Sequence, residues 1–147
     1  MTRSPADSAP ATHQDLEAIF QPKSIAVVGA SANPQSQGYE FVQALVEIGF
    51  PGPVHPVNPK LDELLGQKAY PRLEAIPGPV DFVISAVPAS AALDLVEGAK
   101  AKGAKLIHLF TARFSETGRD DAAALERELK RRVEESGIRV IGPNCMG

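Results

Sequence analysis

The stretch SIAVVGASANPQSQGYEFVQAL, residues 24–45, decides the fold of this chain. It opens on an apolar run within residues 24–29, which is typical of a parallel strand buried on both faces. A loop rich in Gly, Ser, Asn and Pro follows, and from Gly38 the apolar residues recur at helical spacing. The order strand, loop, helix is that of a nucleotide-binding turn, although the glycines do not match the pattern G-x-G-x-x-G.

The composition is that of one soluble globular domain. The chain has 147 residues, of which 44% are hydrophobic and 22% are charged. A net charge of −3 with mixed signs argues against a nucleic-acid partner, which needs a concentrated basic face. No apolar run reaches the roughly 20 residues that cross a membrane. Residues 1–14 lack the apolar segment of a secretory signal and predict a disordered tail before a cytoplasmic domain over residues 15–147.

The cysteine and histidine content predicts neither a metal site nor a catalytic residue. The one cysteine, Cys145, excludes an internal disulfide, and the three histidines lack the spacing of metal ligands. No neighbouring base or cation in the sequence would activate the Cys145 thiol, so we expect a buried structural cysteine. His108 lies inside an apolar segment and is expected to pack in the core.

Strand-like and helix-like segments alternate along the chain. A short helix before Pro22 is expected to pack apolar side chains such as Leu16 and Phe20 on the domain. Thr117 and Asp120 predict a capping box at the start of a long helix near the end of the chain. The other predicted helices cover residues 38–48 and 88–103, and the predicted strands cover residues 24–29, 53–60, 67–70, 80–87, 105–110 and 138–142.

This alternation predicts an α/β fold. Strands that alternate with helices imply right-handed crossovers and a mainly parallel sheet with helices on both faces, a Rossmann-like doubly wound domain. In such sheets a ligand binds beyond the carboxyl ends of the strands, near the point where the strand order reverses. The loops that this rule selects are residues 29–38, 58–60, 86–90, 111–118 and 142–147.

The first of these loops is a candidate phosphate site. Gly29 allows a tight turn and Gly38 allows close approach at the helix start, with Ser31 and Ser36 between them. The unpaired N–H groups of a helix N-terminus, together with the helix dipole, favour an anion such as phosphate. The alternative is a turn that uses Gly and Ser for its geometry alone.

The second loop indicates which phosphate compound would bind. NAD-binding domains carry an acidic residue at the end of the second strand. This chain instead reads PVNPK and has no carboxylate before Asp62. Lys60 is a cation and suits a ribose that carries a phosphate, as in coenzyme A or NADP. The alternative is a surface lysine beside a proline turn.

Taken together, five segments resemble a known family. They are PKSIAVVGAS, GPVHPVNPK, GQKAYPRLEAIPGPVDFVISAVPA, FSETG and IRVIGPNCMG. They occur in the order and at the spacing of the CoA-binding domain of NDP-forming acyl-CoA synthetases, with the α subunit of succinyl-CoA synthetase as a more distant relative. The resemblance covers about residues 15–147. It implies a ligase that joins an acyl acid to CoA with cleavage of a nucleoside triphosphate, through an acyl phosphate and a phosphorylated histidine.

The resemblance also implies a CoA site along the selected loops. The first loop would contact phosphate, Lys60 would meet the CoA phosphates, and the pantetheine arm would lead the thiol toward Cys145. Arg113 departs from the family, where a glycine is common; it would narrow the channel or add a contact to an acyl or phosphoryl group. The implied CoA-binding residues are Gly29, Ser31, Ser36, Gln37, Gly38, Asn58, Lys60, Val87, Pro88, Phe110, Thr111, Ala112, Arg113 and Asn144.

The chain lacks two parts that the ligase reaction needs. None of its histidines matches the phosphorylated histidine of the family, and it contains no P-loop. The resemblance therefore implies phosphohistidine-bearing and ATP-grasp domains or subunits as partners, with CoA binding but no catalysis by this chain alone; a homo-oligomer is compatible with it. Two alternatives stay open: a stand-alone CoA-binding protein with a sensing or regulatory role, and an NADP-binding oxidoreductase fragment.

Overall fold

A five-stranded parallel sheet forms the centre of the domain in this computed structural model, which describes residues 13–110 and 118–142. Its strands, in chain order, are β1 (Ile25–Val28), β2 (Val54–Val57), β5 (Phe82–Ser85), β6 (Leu106–Leu109) and β7 (Arg139–Ile141). Between β2 and β5 the chain forms an antiparallel pair, β3 (Glu63–Leu64) and β4 (Gln67–Lys68). The order across the sheet is β2-β1-β5-β6-β7. The proline-containing strand β2 lies at an edge, where a missing N–H is tolerated.

The described residues form four helices: α1 (His13–Phe20), α2 (Gln37–Glu47), α3 (Ala92–Ala101) and α4 (Asp120–Ser136). Short 3-10 helices at Leu73–Ala75 and Ala89–Ala91 precede β5 and α3, respectively. None of the described helices is both long and apolar enough to cross a membrane.

Each face of the sheet has its own core, because side chains alternate along the buried strands. On one face Ile25 and Val27 pack with Val42 of α2. On the other face Ala26 packs with Leu95 of α3 and Leu129 of α4 in a larger cluster. Helices on both faces of an all-parallel sheet confirm the doubly wound α/β prediction.

The strand order reverses between β1 and β5. From β1 the chain crosses to β2 on one side, and it then returns to β5 on the other side of β1. Val28 and Ser85, the last residues of the two central strands, are paired in register, and Ala86 N donates to Val28 O over 2.8 Å. The loops that follow residues 28 and 85 therefore face each other across the switch point.

The predicted capping box at Thr117 and Asp120 is wrong. Helix α4 begins at Asp120, and its N-cap residue is Arg119, whose side chain makes no capping hydrogen bond. Gly118 has a positive φ of 70°, and Arg119 is extended, so two non-helical residues separate residue 117 from the helix. Thr117 itself lies outside the described residues. Gly137 ends α4 in the left-handed conformation.

The first helix also differs from expectation. It begins at His13, two residues inside the predicted tail, whose first 12 residues lie outside the described part of the chain. Leu16 and Phe20 are not buried in the core, since 40% and 79% of their surface is exposed. Phe20 lines an open groove, together with Phe50 and Pro51, without being covered.

Candidate ligand site at the carboxyl edge of the sheet

Two glycines shape the turn after β1. Gly29 has a positive φ of 86°, and a Cβ atom there would lie 2.8 Å from the carbonyl atoms of Ala86. A Cβ atom on Gly38 would overlap the carbonyl oxygen of Gly29. The first turn of α2 therefore rests directly on the residue that follows β1, and that residue rests on the backbone after β5. Only glycine allows such close contacts at the two positions.

Side chains within the loop fix its path between the glycines. The Ser31 hydroxyl accepts from Asn33 N over 3.1 Å, and the Asn33 carboxamide oxygen accepts from Gln35 N over 3.0 Å. The Ser36 hydroxyl donates to Asn33 O over 2.8 Å and accepts from Tyr39 N over 3.2 Å, so Ser36 is the N-cap of α2. The predicted contact of Ser36 with a ligand phosphate would have to share a hydroxyl that already caps the helix.

The start of α2 offers backbone donors to a ligand. Gln37 and Gly38 occupy the first two helical positions, where an N–H has no intrahelical acceptor. The partial positive charge of the helix dipole is concentrated at the same end. An anion at the end of β1 would meet both, which is the arrangement that binds phosphate in nucleotide-binding turns.

Asn58 ties the first and second loops together. Its side-chain nitrogen donates to Ala30 O over 2.7 Å, and its side-chain oxygen accepts from Lys60 N over 2.7 Å. Asn58 was predicted as a ligand contact; the structure adds a positioning role that its sequence context did not reveal. The Lys60 side chain is exposed, and no described residue makes a hydrogen bond or ion pair with its ammonium group.

A cavity of about 290 Å³ opens beside this turn, on the face of the sheet that carries α3. This volume is near the lower end of the range for small-molecule pockets, roughly 300–1,000 Å³. Its walls are mainly apolar, with one cation and two carboxylates. The lining residues are Val28, Gly29, Val57, Asn58, Pro59, Pro71, Arg72, Leu73, Glu74, Val87, Ala91, Asp94, Leu95 and Gly98.

The cavity brings together only part of the predicted set. Gly29, Asn58 and Val87 line it, whereas Lys60 and Pro88 do not. The charged residues Arg72, Glu74 and Asp94 were missed. Arg72 and Glu74 belong to the crossing from β2 to β5 and not to a loop that follows a strand of the main sheet. The rule that a ligand binds beyond the strand ends therefore does not select them.

The remaining predicted residues lie toward β6 and the chain end. Phe110 N donates to Ser85 O over 2.9 Å, and its ring meets the Phe41 ring edge-on at 5.2 Å. His108 is half-buried in β6, and its ring contacts that of Phe110 at a centroid distance of 6.3 Å. Within the described residues, no group of His, Cys, Asp and Glu side chains is placed to hold a metal ion. Outside the described residues lie Thr111, Ala112, Arg113, Asn144 and Cys145.

A doubly wound parallel sheet with a glycine-packed first turn and a cavity at its switch point defines a nucleotide-binding class of domain. Within that class, residues 23–147 match the CoA binding domain family, and the chain belongs to this family. The resemblance inferred from the five sequence segments is thereby confirmed. Coenzyme A, one of the two ligands that Lys60 suggested, is the ligand of the family.

Three known proteins place the chain within the family. ADP-forming acetate–CoA ligase II of Archaeoglobus fulgidus is 39% identical over 136 residues, which are 92% of this chain and 20% of the ligase. Acetyl-coenzyme A synthetase 1 of Ca. Korarchaeum cryptofilum, solved with phosphate and ADP, is 40% identical and superposes with a TM-score of 0.83 over 90% of this chain and 28% of that one. A hypothetical protein of Pyrococcus horikoshii is 29% identical with a TM-score of 0.69, over 99% of this chain and 93% of that one. The chain thus spans about a fifth of the first ligase.

Proposed function

We propose that this domain holds coenzyme A along the carboxyl edge of its sheet and presents the thiol to the other parts of an NDP-forming acyl-CoA synthetase. The observation that carries the proposal is the position of the α2 N-terminus at the switch point, where the contact of Gly38 with the Gly29 carbonyl holds it. This contact directs the N-terminus of α2 to the switch point, where the Gln37 and Gly38 amides and the helix dipole can bind the diphosphate of CoA. Ser31 and Ser36 would border the same phosphates.

The adenosine part of CoA would occupy the cavity next to the diphosphate site. Val28, Val57 and Leu95 supply apolar walls for the base, and Gly98 lets Leu73 and Glu74 pack close to α3. Val87 lines the cavity, and the next residue, Pro88, is the N-cap of the 3-10 helix Ala89–Ala91. Lys60, held at the rim by the Asn58 side chain, would meet the ribose 3′-phosphate.

The pantetheine arm would leave this site along the carboxyl ends of β5 and β6. Phe110 follows β6 at the carboxyl edge of the sheet, and the proposed path continues over Thr111, Ala112 and Arg113 to Asn144. The ligase relatives are longer than this chain. The domain would serve phosphohistidine-bearing and ATP-grasp domains or subunits, the partners that the family resemblance implies. The domain itself would bind CoA and contribute no catalytic residue.

Titration calorimetry tests the binding part of the proposal. The chain is expected to bind CoA more tightly than dephospho-CoA, NAD or NADP. Lys60→Ala should weaken CoA binding about tenfold, the cost of roughly one charge-assisted hydrogen bond. Lys105→Ala is the matched control, since Lys105 is an exposed lysine at the amino end of β6. Tighter binding of NADP than of CoA would refute the proposed ligand site.

A domain exchange tests the ligase part. This chain would replace the matching fifth of the Archaeoglobus fulgidus ligase, and acetyl-CoA formation from acetate, CoA and ATP would be measured. Retained activity, abolished by Gly38→Ala in the exchanged domain, is the expected result. An exchanged enzyme that folds and binds CoA but forms no acetyl-CoA would count against a role in this class of ligase.

A stand-alone CoA-binding protein is the second candidate. The Pyrococcus horikoshii protein favours it, because 93% of that chain is matched by 99% of this one. A domain of this size therefore occurs as nearly the whole of another chain. CoA binding with an inactive domain exchange would favour this second function over the first.

A further inference from the structure

The geometry points to Arg72 as a specificity-determining residue that selects CoA through the 3′-phosphate of its ribose. The inference rests on the proposed CoA site and names one of its contacts. Arg72 is the only cation among the cavity-lining residues that the structure describes. Its guanidinium is exposed and makes no ion pair within the described part of the chain.

Backbone pairing places Arg72 beside the Lys60 loop. The segment that follows β4 runs parallel to the end of β2, with Val57 bridged to Tyr70. Tyr70 N donates to Pro56 O, and Asn58 N donates to Tyr70 O, each over 2.9 Å. The two segments leave the sheet on the same side of this pairing. Arg72 lies two residues after Tyr70, and Lys60 lies two residues after Asn58.

The backbone holds Arg72 in place without using its side chain. Arg72 precedes the 3-10 helix Leu73–Ala75 in an extended conformation, and its carbonyl accepts from Ala75 N over 3.2 Å. Leu73, the next residue, is 4% exposed and anchored in the larger core. The side chain is therefore fixed at its base and free at its charged end.

The charges around the cavity define where a phosphate can lie. Glu74 and Asp94 also line the cavity, and their carboxylates would repel a phosphate. Arg72 lines the same cavity, and the Lys60 loop contributes the lining residues Asn58 and Pro59. Arginine also presents a planar pair of N–H donors that matches phosphate oxygens, which a lysine cannot do. The 3′-phosphate is the CoA group that Arg72 and Lys60 would recognise.

Calorimetry with CoA and dephospho-CoA on the Arg72→Ala variant tests the inference. CoA binding should weaken about tenfold, the size of one charge-assisted hydrogen bond, and dephospho-CoA binding should change less than about twofold. Arg72→Lys should recover part of the preference, because it keeps the charge and loses the paired donors. Arg139→Ala is the control: an exposed arginine at the amino end of β7, expected to leave both affinities unchanged.

The outcomes separate this inference from the proposal on which it rests. Equal weakening of both ligands by Arg72→Ala would overturn it, because that result assigns Arg72 to the base or to the fold. An unchanged preference for CoA in the variant would also overturn it while leaving the CoA site intact. A wild-type chain that binds neither compound would remove the CoA site, and the role of Arg72 with it.

Discussion

The two edges of the sheet are built with the same glycine contact but differ in what they leave open. At the amino edge a Cβ atom on Gly52 would overlap the carbonyl oxygen of Lys23, as a Cβ on Gly38 would overlap that of Gly29 at the carboxyl edge. At the carboxyl edge the first turn of α2 rests on the residue after β1, and at the amino edge the loop before β2 rests on the segment before β1. A close contact between a glycine and a backbone carbonyl therefore does not by itself distinguish a binding site from a structural turn.

The difference lies in the polar groups next to each contact. At the amino edge the Ser24 hydroxyl donates to Pro79 O and accepts from Asp81 N, each over 3.1 Å. The Asp81 carboxylate in turn accepts from Lys23 N over 2.8 Å. These polar groups are hydrogen-bonded to one another, so they are not available to bind a ligand.

At the carboxyl edge several polar groups have no such partner. The Ser85 hydroxyl is fully buried, and no hydrogen bond to it is found among the described residues. The charged ends of Lys60 and Arg72 are also without ion pairs in the described part of the chain. An edge with unsatisfied donors and a cavity suits a ligand; an edge whose donors are used internally suits a support.

The largest effect is expected from breaking the two glycine contacts. Gly38→Ala should reduce CoA affinity at least about 100-fold, because α2 must move away from the diphosphate site, and should cost about 1–3 kcal/mol of folding free energy through overpacking. Gly52→Ala should cost a similar amount of stability while its folded fraction keeps its CoA affinity. Urea unfolding and calorimetry on both variants check this. An equal loss of affinity in the two variants would contradict the assignment of the site to one edge.

The next effect concerns the side chains that fix each edge. Asn58→Ala removes the hydrogen bonds to Ala30 O and Lys60 N and should weaken CoA binding about tenfold. Ser24→Ala removes the hydrogen bonds of the Ser24 hydroxyl with Pro79 O and Asp81 N, and CoA affinity should stay within about twofold of the wild-type value. Calorimetry on both variants is the measurement. If Asn58→Ala bound CoA like the wild type, Asn58 would have no positioning role.

A smaller effect separates the two buried serines in stability. Ser24→Ala should lower the free energy of unfolding by about 1 kcal/mol or more, because Asp81 N and Pro79 O lose their partner. Ser85→Ala should be neutral or stabilising, because it removes a buried hydroxyl that has no described partner. Equilibrium unfolding in urea compares them. A loss in Ser85→Ala as large as that in Ser24→Ala would show that the Ser85 hydroxyl is satisfied in the folded protein.

The smallest expected effect is the contribution of His55, in β2, to the pH dependence of folding stability. It should not change the difference between the two edges. Burial, and then the positive charge of Lys102, lower the pKa of His55 below its usual 6.5. The unfolded chain therefore binds this proton more readily, so the stability that His55 contributes is present above pH 6.5 and is lost as the pH falls below it. The loss should stay below about 1 kcal/mol, because the side chain is only half-buried.

Urea unfolding of the wild type and His55→Gln between pH 5 and 7.5 measures this contribution. The variant should show a shallower decline in stability on acidification. Parallel declines in the two proteins would show that His55 titrates alike in the folded and unfolded states.

Local features made the first turn predictable. The apolar run before Gly29 and the helical spacing after Gly38 are set by neighbours in sequence, and both glycines are required by close backbone contacts. Arg72 was not predictable in this way, because its place depends on the pairing of residue 70 with the end of β2. The start of α4 was mispredicted for a related reason. The left-handed Gly118 and extended Arg119 outweigh the spacing that suggested a capping box.

Titration of CoA into the ¹⁵N-labelled chain, followed by backbone amide chemical shifts, tests most directly whether the carboxyl edge is the binding edge. The expected shifts are concentrated at Gly29, Gly38 and Asn58, and amides of the amino edge, such as those of Lys23 and Gly52, stay in place. Shifts concentrated at the amino edge, along the groove beside Phe20, would contradict the proposed site.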